Sequence, residues 1–257
     1  MKIFVDLLKY LRFWGGTFRC IVCNRPVRRF FPFSSELQRK AKGNGFPYDF
    51  RRMETLNVDN CNCPFCLSSD RERLYLIFLE KYFNQTRKTK YYLLDFAPNK
   101  AFAKHLKSKS FVEYTSTDIS RPDVDLRMDI CDMKEIADES FDVIICSHVL
   151  EHVSRPDNGI GELFRILRAK GMAIIMVPLF FDVVNTVEDI SHTTESERLK
   201  FYGQIDHVRL FARHDFLGRL RTAGFAIKEV VPSMLDAESV RKNAIAENSI
   251  LYVCTRT

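Results

Sequence analysis

The sequence predicts an α/β fold with a doubly wound, mostly parallel sheet of seven strands, preceded by a smaller N-terminal segment. Two observations lead to this prediction. From Tyr91 onward, short apolar runs alternate with amphipathic stretches, which is typical of a parallel sheet covered by helices on both faces. Before Tyr91, five of the eight cysteines crowd into a stretch with little periodicity, which indicates a separate small unit.

Each element of the sheet follows from the local pattern. The predicted strands are YYLLDF (91–96), VEYTSTD (112–118), VDLRMD (124–129), FDVIICS (141–147), GMAIIMVP (171–178), AIKEVV (226–231) and ENSILYVCT (247–255). The predicted helices are RERLYLIFLEKYF (71–83), NKAFAKHLKSK (99–109), NGIGELFRILR (158–168) and ARHDFLGRLRTAGF (212–225). The division that results has an amphipathic helix over 1–19, a cysteine-rich segment over 20–70, a linking helix over 71–90 and the sheet domain over 91–257.

The composition is that of a soluble globular protein, with 46% hydrophobic and 28% charged residues. A formal charge of +6 is too small for a dedicated nucleic-acid binder, so nucleic acid is an unexpected partner. No run approaches the roughly 18 apolar residues of a membrane span. The basic N-terminal helix permits a peripheral membrane contact, although packing on the protein itself is favoured. We expect a cytoplasmic protein, because the cysteines do not form a secreted disulfide pattern.

The cysteines of the N-terminal segment form two C-x-x-C pairs, Cys20 with Cys23 and Cys63 with Cys66. Two such turns supply four thiolates for tetrahedral Zn²⁺, and a loop-rich segment gains stability from that link. The spacing therefore predicts a zinc-ribbon-like segment with a structural zinc ion. Cys61 lies close enough in sequence to take the place of Cys63 as a ligand.

Three acidic residues come at the ends of the first three predicted strands of the sheet domain: Asp95, Asp118 and Asp129. In an open α/β sheet, ligands bind outside the carboxyl ends of the strands, where the strand order reverses. An acidic residue at each of three successive strand ends therefore predicts a ligand site at this edge of the sheet.

The next part of the chain, SFDVIICSHVLEHV (140–153) followed by ELFRILRAKGMAIIMVP (162–178), resembles the class I S-adenosylmethionine-dependent methyltransferases of the small-molecule type, over roughly residues 91–257. The resemblance implies a Rossmann-like fold and S-adenosyl-L-methionine as cofactor. It implies that Asp118 holds the ribose, that Asp129 lies near the adenine, and that Ser147 and His148 face the methionine part and the methyl group. The loop after the first predicted strand of the sheet domain has no glycine. It is similar to the same loop in a narrower set of these methyltransferases, in which a Phe-Ala-Pro turn replaces the glycines. The expected cofactor-binding residues are Asp95, Phe96, Ala97, Pro98, Asp118, Ile119, Asp129, Ile130, Ser147 and His148.

Residues 182–212 form a long polar stretch inside the sheet domain, and long loops of this kind are commonly lids or binding elements. We expect this stretch to be the substrate loop. Methyl transfer to a hydroxyl or amine is helped by a base, and histidine titrates near neutral pH. The first candidate is His207, oriented by Asp206 or Glu188, and the second is His148; alternatively, Asp206, His207 and Arg209 only hold the loop in place.

A metal site is a further interpretation of His148, Glu151 and His152, with the two histidines spaced i, i+4 on a predicted helix. A zincin requires H-E-x-x-H, and that order is absent, so these residues are expected to cap the helix and to line the cofactor site.

Three functions follow from these patterns. The favoured one is a methyltransferase that acts on O or N of a small molecule or glycan precursor. The second is an RNA-modifying methyltransferase that uses the zinc ribbon, with phosphates held by arginines and bases stacked on Phe30, Phe31 and Phe33. The arginines in question are Arg25, Arg28, Arg29, Arg51, Arg52, Arg71 and Arg73. The third is a binding module that has lost its cofactor.

Overall fold

A seven-stranded sheet with helices on both faces is the central feature of the computed structural model, which describes residues 12–256. The strands, in chain order, are β1 Trp14–Cys20, β2 Arg25–Val27, β3 Tyr91–Phe96, β4 Val112–Asp118, β5 Leu126–Arg127, β6 Phe141–Ser147, β7 Leu167–Met176, β8 Val187–Glu188, β9 Arg209–Leu210, β10 Ala226–Val230 and β11 Leu251–Thr255. The α-helices are α1 Ser35–Gly43, α2 Asp70–Thr86, α3 Lys100–Lys107, α4 Pro156–Ile166, α5 Glu195–Tyr202, α6 Arg213–Thr222 and α7 Ala237–Lys242. Two short 3₁₀ helices occupy Phe50–Arg52 and Pro232–Met234.

The large sheet has the strand order β10-β11-β7-β6-β3-β4-β5 and confirms the predicted fold class. The strands from β7 to β5 run parallel, and β11 joins β7 antiparallel. The chain builds outward from β3 through β4 to β5 and then returns to the other side of β3 with β6. The strand order therefore reverses between β3 and β6, and ligands bind at the carboxyl ends on either side of such a point.

Two hydrophobic layers cover the faces of the sheet. Neighbouring residues of β3 alternate between them, with Leu93 in one layer and Leu94 in the other, because successive side chains of a strand point to opposite faces. Helices α2 and α3 pack on the Leu93 face, and helices α4 and α6 pack on the Leu94 face. This two-sided burial is the reason that β6 and the second half of β7 are almost entirely apolar.

Helix α2 begins directly after the cysteine-rich segment and is fixed at its start by a capping box. The Ser69 backbone N–H donates to Glu72 Oε2 at 2.7 Å, and the Glu72 backbone N–H donates to Ser69 Oγ at 3.3 Å. These bonds satisfy two of the N–H groups that a helix leaves unpaired at its start. The position of α2 is therefore tied to the end of the cysteine-rich segment.

The structure corrects three predictions about individual elements. Most of the helix predicted over 1–19 lies outside the described residues, but residues 14–19 are wrong as helix, because they pair with β2 in an antiparallel hairpin. The cysteine-rich segment, expected to be loop-rich, contains helix α1. The predicted 158–168 helix ends at Ile166, where the chain enters β7.

A third hydrophobic cluster joins residues 41–61 to the segment 180–212, although the sequence indicated little core in the N-terminal part. Phe46, Phe50 and Met53 pack with Phe180 and Tyr202 there. The segment 182–212 is itself structured, with β8, α5 and β9. It is therefore held against the N-terminal segment.

Across the described residues, no helix is long and apolar enough to cross a membrane.

Candidate cofactor cavity and cysteine cluster

A cavity of about 570 Å³ opens at the carboxyl ends of β3, β4, β5 and β6, where the strand order reverses. This volume lies within the range of small-molecule and cofactor sites. Seven of the ten residues expected to bind the cofactor line it: Phe96, Ala97, Asp118, Ile119, Asp129, Ile130 and His148. The other lining residues are Thr117, Ser120, Met128, Cys131, Val149, His152, Val153, Ser154 and Asp206.

The loop after β3 replaces glycine with an alanine in a left-handed conformation. Ala97 has φ +49°, and its backbone N–H donates to the Thr117 carbonyl at 2.9 Å. The small side chain keeps the backbone close to the cavity, and the positive φ is the conformation that glycine adopts without strain. Asn99 then caps α3, since its Oδ1 accepts from the Ala101 and Phe102 N–H groups. The Phe-Ala-Pro turn thus has the shape that a glycine-containing turn would adopt.

Asp118 lies at the end of β4 with one carboxylate oxygen already engaged. Its Oδ1 accepts from the backbone N–H groups of Ser120 at 2.8 Å and Arg121 at 2.9 Å. Partial burial alone would raise its pKa, but these hydrogen bonds outweigh burial and lower the pKa. Asp118 is consequently ionised at neutral pH and can accept hydrogen bonds from a ligand.

Asp129 lies after β5 on the other side of the cavity. Its Oδ1 accepts from the Cys131 backbone N–H at 2.8 Å, which fixes the turn. Met128 and Ile130 flank it as apolar lining. A carboxylate beside apolar side chains suits a flat ring that carries an amino group.

Asp95, Pro98 and Ser147 do not line the cavity. Asp95 is buried behind the wall, where Tyr114 Oη donates to its Oδ2 at 2.6 Å, and burial raises its pKa to about 7. The Pro98 carbonyl accepts from Arg121 Nη1 at 2.6 Å. The Ser147 hydroxyl bonds to the Tyr75 hydroxyl of α2. All three residues therefore support the cavity wall through hydrogen bonds without lining the cavity.

His148 stands at the cavity, directly after β6, with φ +56°. Arg71 Nη1 of α2 donates to its Nε2 at 2.5 Å, and its Nδ1 lies 3.3 Å from Glu151 Oε1. Burial, together with the charge of Arg71, lowers its pKa well below the usual value, so the ring is neutral. The prediction that His148 and His152 share a helix is wrong. They lie in a turn, and α4 begins only at Pro156, whose ring starts a helix readily but cannot continue one.

His207, the first candidate base, is buried and does not line the cavity. Burial lowers its pKa to about 3, so the ring stays neutral. Asp206 does line the cavity, and its carbonyl accepts from His152 Nδ1 at 3.0 Å. Of the residues predicted to be catalytic, His148 and Asp206 therefore reach the cavity. The burial of His207 beside Glu151 and His152 comes from long-range packing that local sequence does not reveal.

The turn that carries Glu151 is clamped by the segment that follows His207. The Val208 N–H donates to the Glu151 carbonyl at 3.0 Å. The Arg209 guanidinium donates to the carbonyls of Leu150, Val153 and Ser154, and to Glu188 Oε1 at 3.0 Å. This network corresponds to the alternative in which Arg209 holds the loop in place.

The four predicted zinc ligands come together in the N-terminal segment, with all four sulfur atoms within 4.8 Å of one another. Cys20 Sγ lies 3.7 Å from Cys66 Sγ, and Cys23 Sγ lies 3.8 Å from Cys63 Sγ. Sulfurs bound tetrahedrally to zinc at about 2.3 Å lie about 3.8 Å apart, so the cluster has the size of a Cys₄ zinc site. Cys61 is outside it, with its thiol 3.8 Å from Asp70 Oδ1.

Several residues of the site were not singled out from the sequence. Tyr75 supports the wall from helix α2, while Thr117 and Met128 line the cavity. Ser68 is buried, and its Oγ lies 3.1 Å from Cys66 Sγ and 3.4 Å from Cys20 Sγ. Tyr75 lies one helical turn after Arg71 on the same face of α2, and this spacing is the one sequence signal that could have indicated it. No local sequence pattern distinguishes the others.

A family model described as a methyltransferase domain matches residues 67–230, which is more than half of the chain. No curated protein sequence matches the chain. Among solved structures, the chain is similar to the CurJ carbon methyltransferase (16% identity, TM-score 0.48, 72% of this chain and 54% of that one). It is also similar to the cyclase SpnF (16% identity, TM-score 0.49, 82% of this chain and 78% of that one). A third similar structure is an O-methyltransferase family protein from Burkholderia thailandensis (14% identity, TM-score 0.47, 76% of this chain and 59% of that one). The chain thus spans about half the length of the CurJ structure.

Proposed function

This chain belongs to the S-adenosylmethionine-dependent methyltransferases of class I, and we propose that it methylates an oxygen or nitrogen of a small molecule or glycan precursor. The observation that carries the proposal is the cavity at the point where the strand order reverses, with Asp118 and Asp129 at adjacent strand ends. Cofactors of this kind bind at that position in open α/β sheets.

The cavity residues fit the cofactor part by part. Asp118, ionised and with Oδ1 held by the backbone, would accept the two ribose hydroxyls. Asp129 with Ile130 would hold the adenine, and the Ala97 turn would let the backbone approach the methionine part. When bound, S-adenosylmethionine supplies an electrophilic methyl group on a sulfonium. The protein then has to position the acceptor in line with that methyl group and to take its proton.

We propose Asp206 as the group that receives the acceptor's proton. It lines the cavity, and its side chain is largely exposed, whereas His207 is buried and His148 is engaged by Arg71. Asp206 Oδ2 also lies 3.6 Å from His152 Nδ1, on the side of the cavity closed by segment 182–212. The acceptor is therefore expected to enter beside His152 and Asp206.

The contacts of the N-terminal segment favour a small acceptor over RNA. Arg51 pairs with Asp59, and Arg52 pairs with Asp182. Arg71 and Arg73 are engaged inside the protein: Arg71 bonds to His148, and the buried Arg73 guanidinium donates to four backbone carbonyls.

The aromatic side chains expected to stack bases are engaged as well. Phe30 is buried under Arg73, while Phe31 and Phe33 pack on Phe13 and Phe50. Seven of the ten residues that the RNA site was expected to use are therefore engaged by other groups of the protein.

We further propose that Cys20, Cys23, Cys63 and Cys66 bind a structural zinc ion. Four thiolates fill the coordination of zinc, so the ion would hold the segment together and would take no part in the reaction. Ser68, within reach of two of the sulfurs, would support the ligands.

Calorimetric titration with S-adenosylmethionine tests the function. We expect saturable binding to the zinc-loaded protein, weakened about tenfold or more in Asp118→Ala, because the ribose hydroxyls lose a charged acceptor. Asp132→Ala is the matched control, since Asp132 is exposed and outside the cavity. Absence of binding to the folded wild-type protein would show that the domain has lost its cofactor.

The acceptor class is tested separately with labelled cofactor and a panel of sugar and nucleotide-sugar acceptors. Retention of RNA by the protein in a filter-binding assay at low salt, with transfer of label to RNA, would favour the RNA-modifying alternative.

A further inference from the structure

We propose that Glu151, His152 and His207 bind a divalent first-row transition metal ion in the wall of the cavity, where His152 reaches the cavity and Glu151 and His207 lie behind it. The inference rests on the proposed methyl transfer and narrows the acceptor to a hydroxyl group. One ligand atom from each of the three residues lies within 4.8 Å of the others. An ion between them would be no more than about 2.8 Å from each, so ligation at about 2.1 Å needs shifts of less than 1 Å per ligand.

The buried carboxylate is the first argument for an ion. Glu151 is completely buried, and no contact of its two oxygens within the described residues has hydrogen-bond geometry; the nearest polar atom facing it is His148 Nδ1, 3.3 Å from Oε1. Buried carboxylates are paired or coordinate metals, because leaving them unpaired costs several kcal/mol.

The orientation of the imidazoles is the second argument. His152 Nδ1 faces the Asp206 carbonyl at 3.0 Å, and since a carbonyl only accepts, Nδ1 carries the proton. His152 Nε2 therefore presents a lone pair toward Glu151 Oε1, 3.9 Å away. His207 Nε2 lies 4.0 Å from the same oxygen. Histidine ligands of metals characteristically donate their other N–H to a carbonyl in this way.

The ligands are also held in place before an ion binds. The Val208 N–H to Glu151 carbonyl bond connects the two segments that carry the ligands, and Arg209 fixes the carbonyls around Glu151. His148 is excluded as a ligand by its bond with Arg71. Two histidines and one carboxylate with open positions are the ligand set of first-row divalent ions.

The ion supplies what Asp206 lacks as a base. A carboxylate is too weak to deprotonate a free hydroxyl, but a metal ion lowers the pKa of an oxygen bound to it. With the ion and the cofactor bound, the acceptor O–H bond would break and its proton would move to the Asp206 carboxylate. The oxygen lone pair so released would form the new C–O bond, and the electrons of the S–C bond would return to sulfur.

Manganese is the probe for the test. The full-length protein with its zinc is titrated with Mn²⁺, and the free ion is followed by electron paramagnetic resonance. We expect one bound Mn²⁺ per chain in the wild type, with nitrogen couplings in the spin-echo spectrum from the imidazoles. We expect an affinity about tenfold or more weaker in Glu151→Gln and in His207→Gln. His214→Gln, which changes an exposed histidine outside the cluster, should bind as the wild type does.

Two further measurements separate this inference from the proposed function. Zinc content and S-adenosylmethionine affinity, both determined without manganese, show whether each variant is folded and binds the cofactor. Cofactor binding by a wild type that takes up no Mn²⁺ would overturn the metal site and leave the methyltransferase proposal standing. Equal Mn²⁺ affinity in the two variants and the wild type, or a spectrum without nitrogen couplings, would also overturn it.

Discussion

Arg71 Nη1 donates a hydrogen bond to His148 Nε2 across 2.5 Å, and this bond connects the N-terminal segment to the wall of the cofactor cavity. Arg71 lies in the first turn of helix α2, directly after the cysteine cluster. One turn further, the Tyr75 hydroxyl bonds to Ser147 at the end of β6. A disturbance of the cysteine cluster should therefore reach the cavity through this helix.

Cys63→Ser is expected to remove the zinc ion, to lower the Tm by roughly 10 °C and to weaken S-adenosylmethionine binding, because the anchor of helix α2 is lost. Zinc content, thermal unfolding and calorimetry measure the three effects. Cys61→Ser is the matched control, since its sulfur lies by Asp70 outside the cluster, and it should keep one zinc per chain. Loss of zinc in Cys61→Ser with retention in Cys63→Ser would reverse the assignment.

Ala97→Gly is expected to stabilise the protein by about 1 kcal/mol, which raises the Tm by roughly 2–4 °C. Ala97 has φ +49°, where a Cβ atom is strained and glycine is not. Ala101→Gly, in the first turn of helix α3, is the control and should destabilise by up to about 1 kcal/mol. A loss of stability in Ala97→Gly comparable to that in Ala101→Gly would show that the turn carries no strain.

The central strands β3 and β6 could be predicted from sequence because burial on both faces makes each one a largely apolar run. The predicted bounds of β3, β4 and β6 agree with the structure. The strand-end position of Asp118 followed directly, since parallel strands end at a common edge. The strand bounds and the position of Asp118 could be predicted because both depend only on residues that are close together in sequence.

Features that depend on distant neighbours could not be predicted in this way. His207 looked like an exposed base because the surrounding sequence is polar, but the Glu151 turn and Arg209 enclose it. The cluster around Phe46 and Phe180 joins segments far apart in sequence, so neither segment alone has a helical or strand period that reveals it.

Asp95→Asn is expected to change the pH dependence of stability. Burial raises the pKa of Asp95 to about 7, from 3.8 in the unfolded chain, so between about pH 4 and 7 the folded state keeps a proton that the unfolded state loses. The contribution of Asp95 to stability is complete below pH 4 and is lost as pH rises through 7, at about 1 kcal/mol per pH unit. Asparagine keeps an acceptor for Tyr114 and removes this slope.

Denaturant unfolding from pH 4 to 8, without cofactor, measures the difference between wild type and Asp95→Asn. Asp59→Asn is the control, because the exposed Arg51 beside Asp59 lowers the pKa of that carboxyl below its usual value, so its curve should stay parallel to that of the wild type from pH 4 to 8. Parallel stability curves for wild type and Asp95→Asn would contradict the shifted pKa.

Arg209→Met is expected to destabilise the protein by about 3 kcal/mol and to weaken S-adenosylmethionine binding. The buried guanidinium donates to the carbonyls of Leu150, Val153 and Ser154, and methionine leaves these acceptors unpaired in the interior. The same turn lines the cavity, so its relaxation should change cofactor affinity as well as the free energy of unfolding. Arg51→Met, which breaks an exposed pair with Asp59, should cost less than about 1 kcal/mol and leave binding unchanged. Chemical denaturation with calorimetry on both variants checks this, and similar losses in the two would mean that Arg209 does not hold the turn.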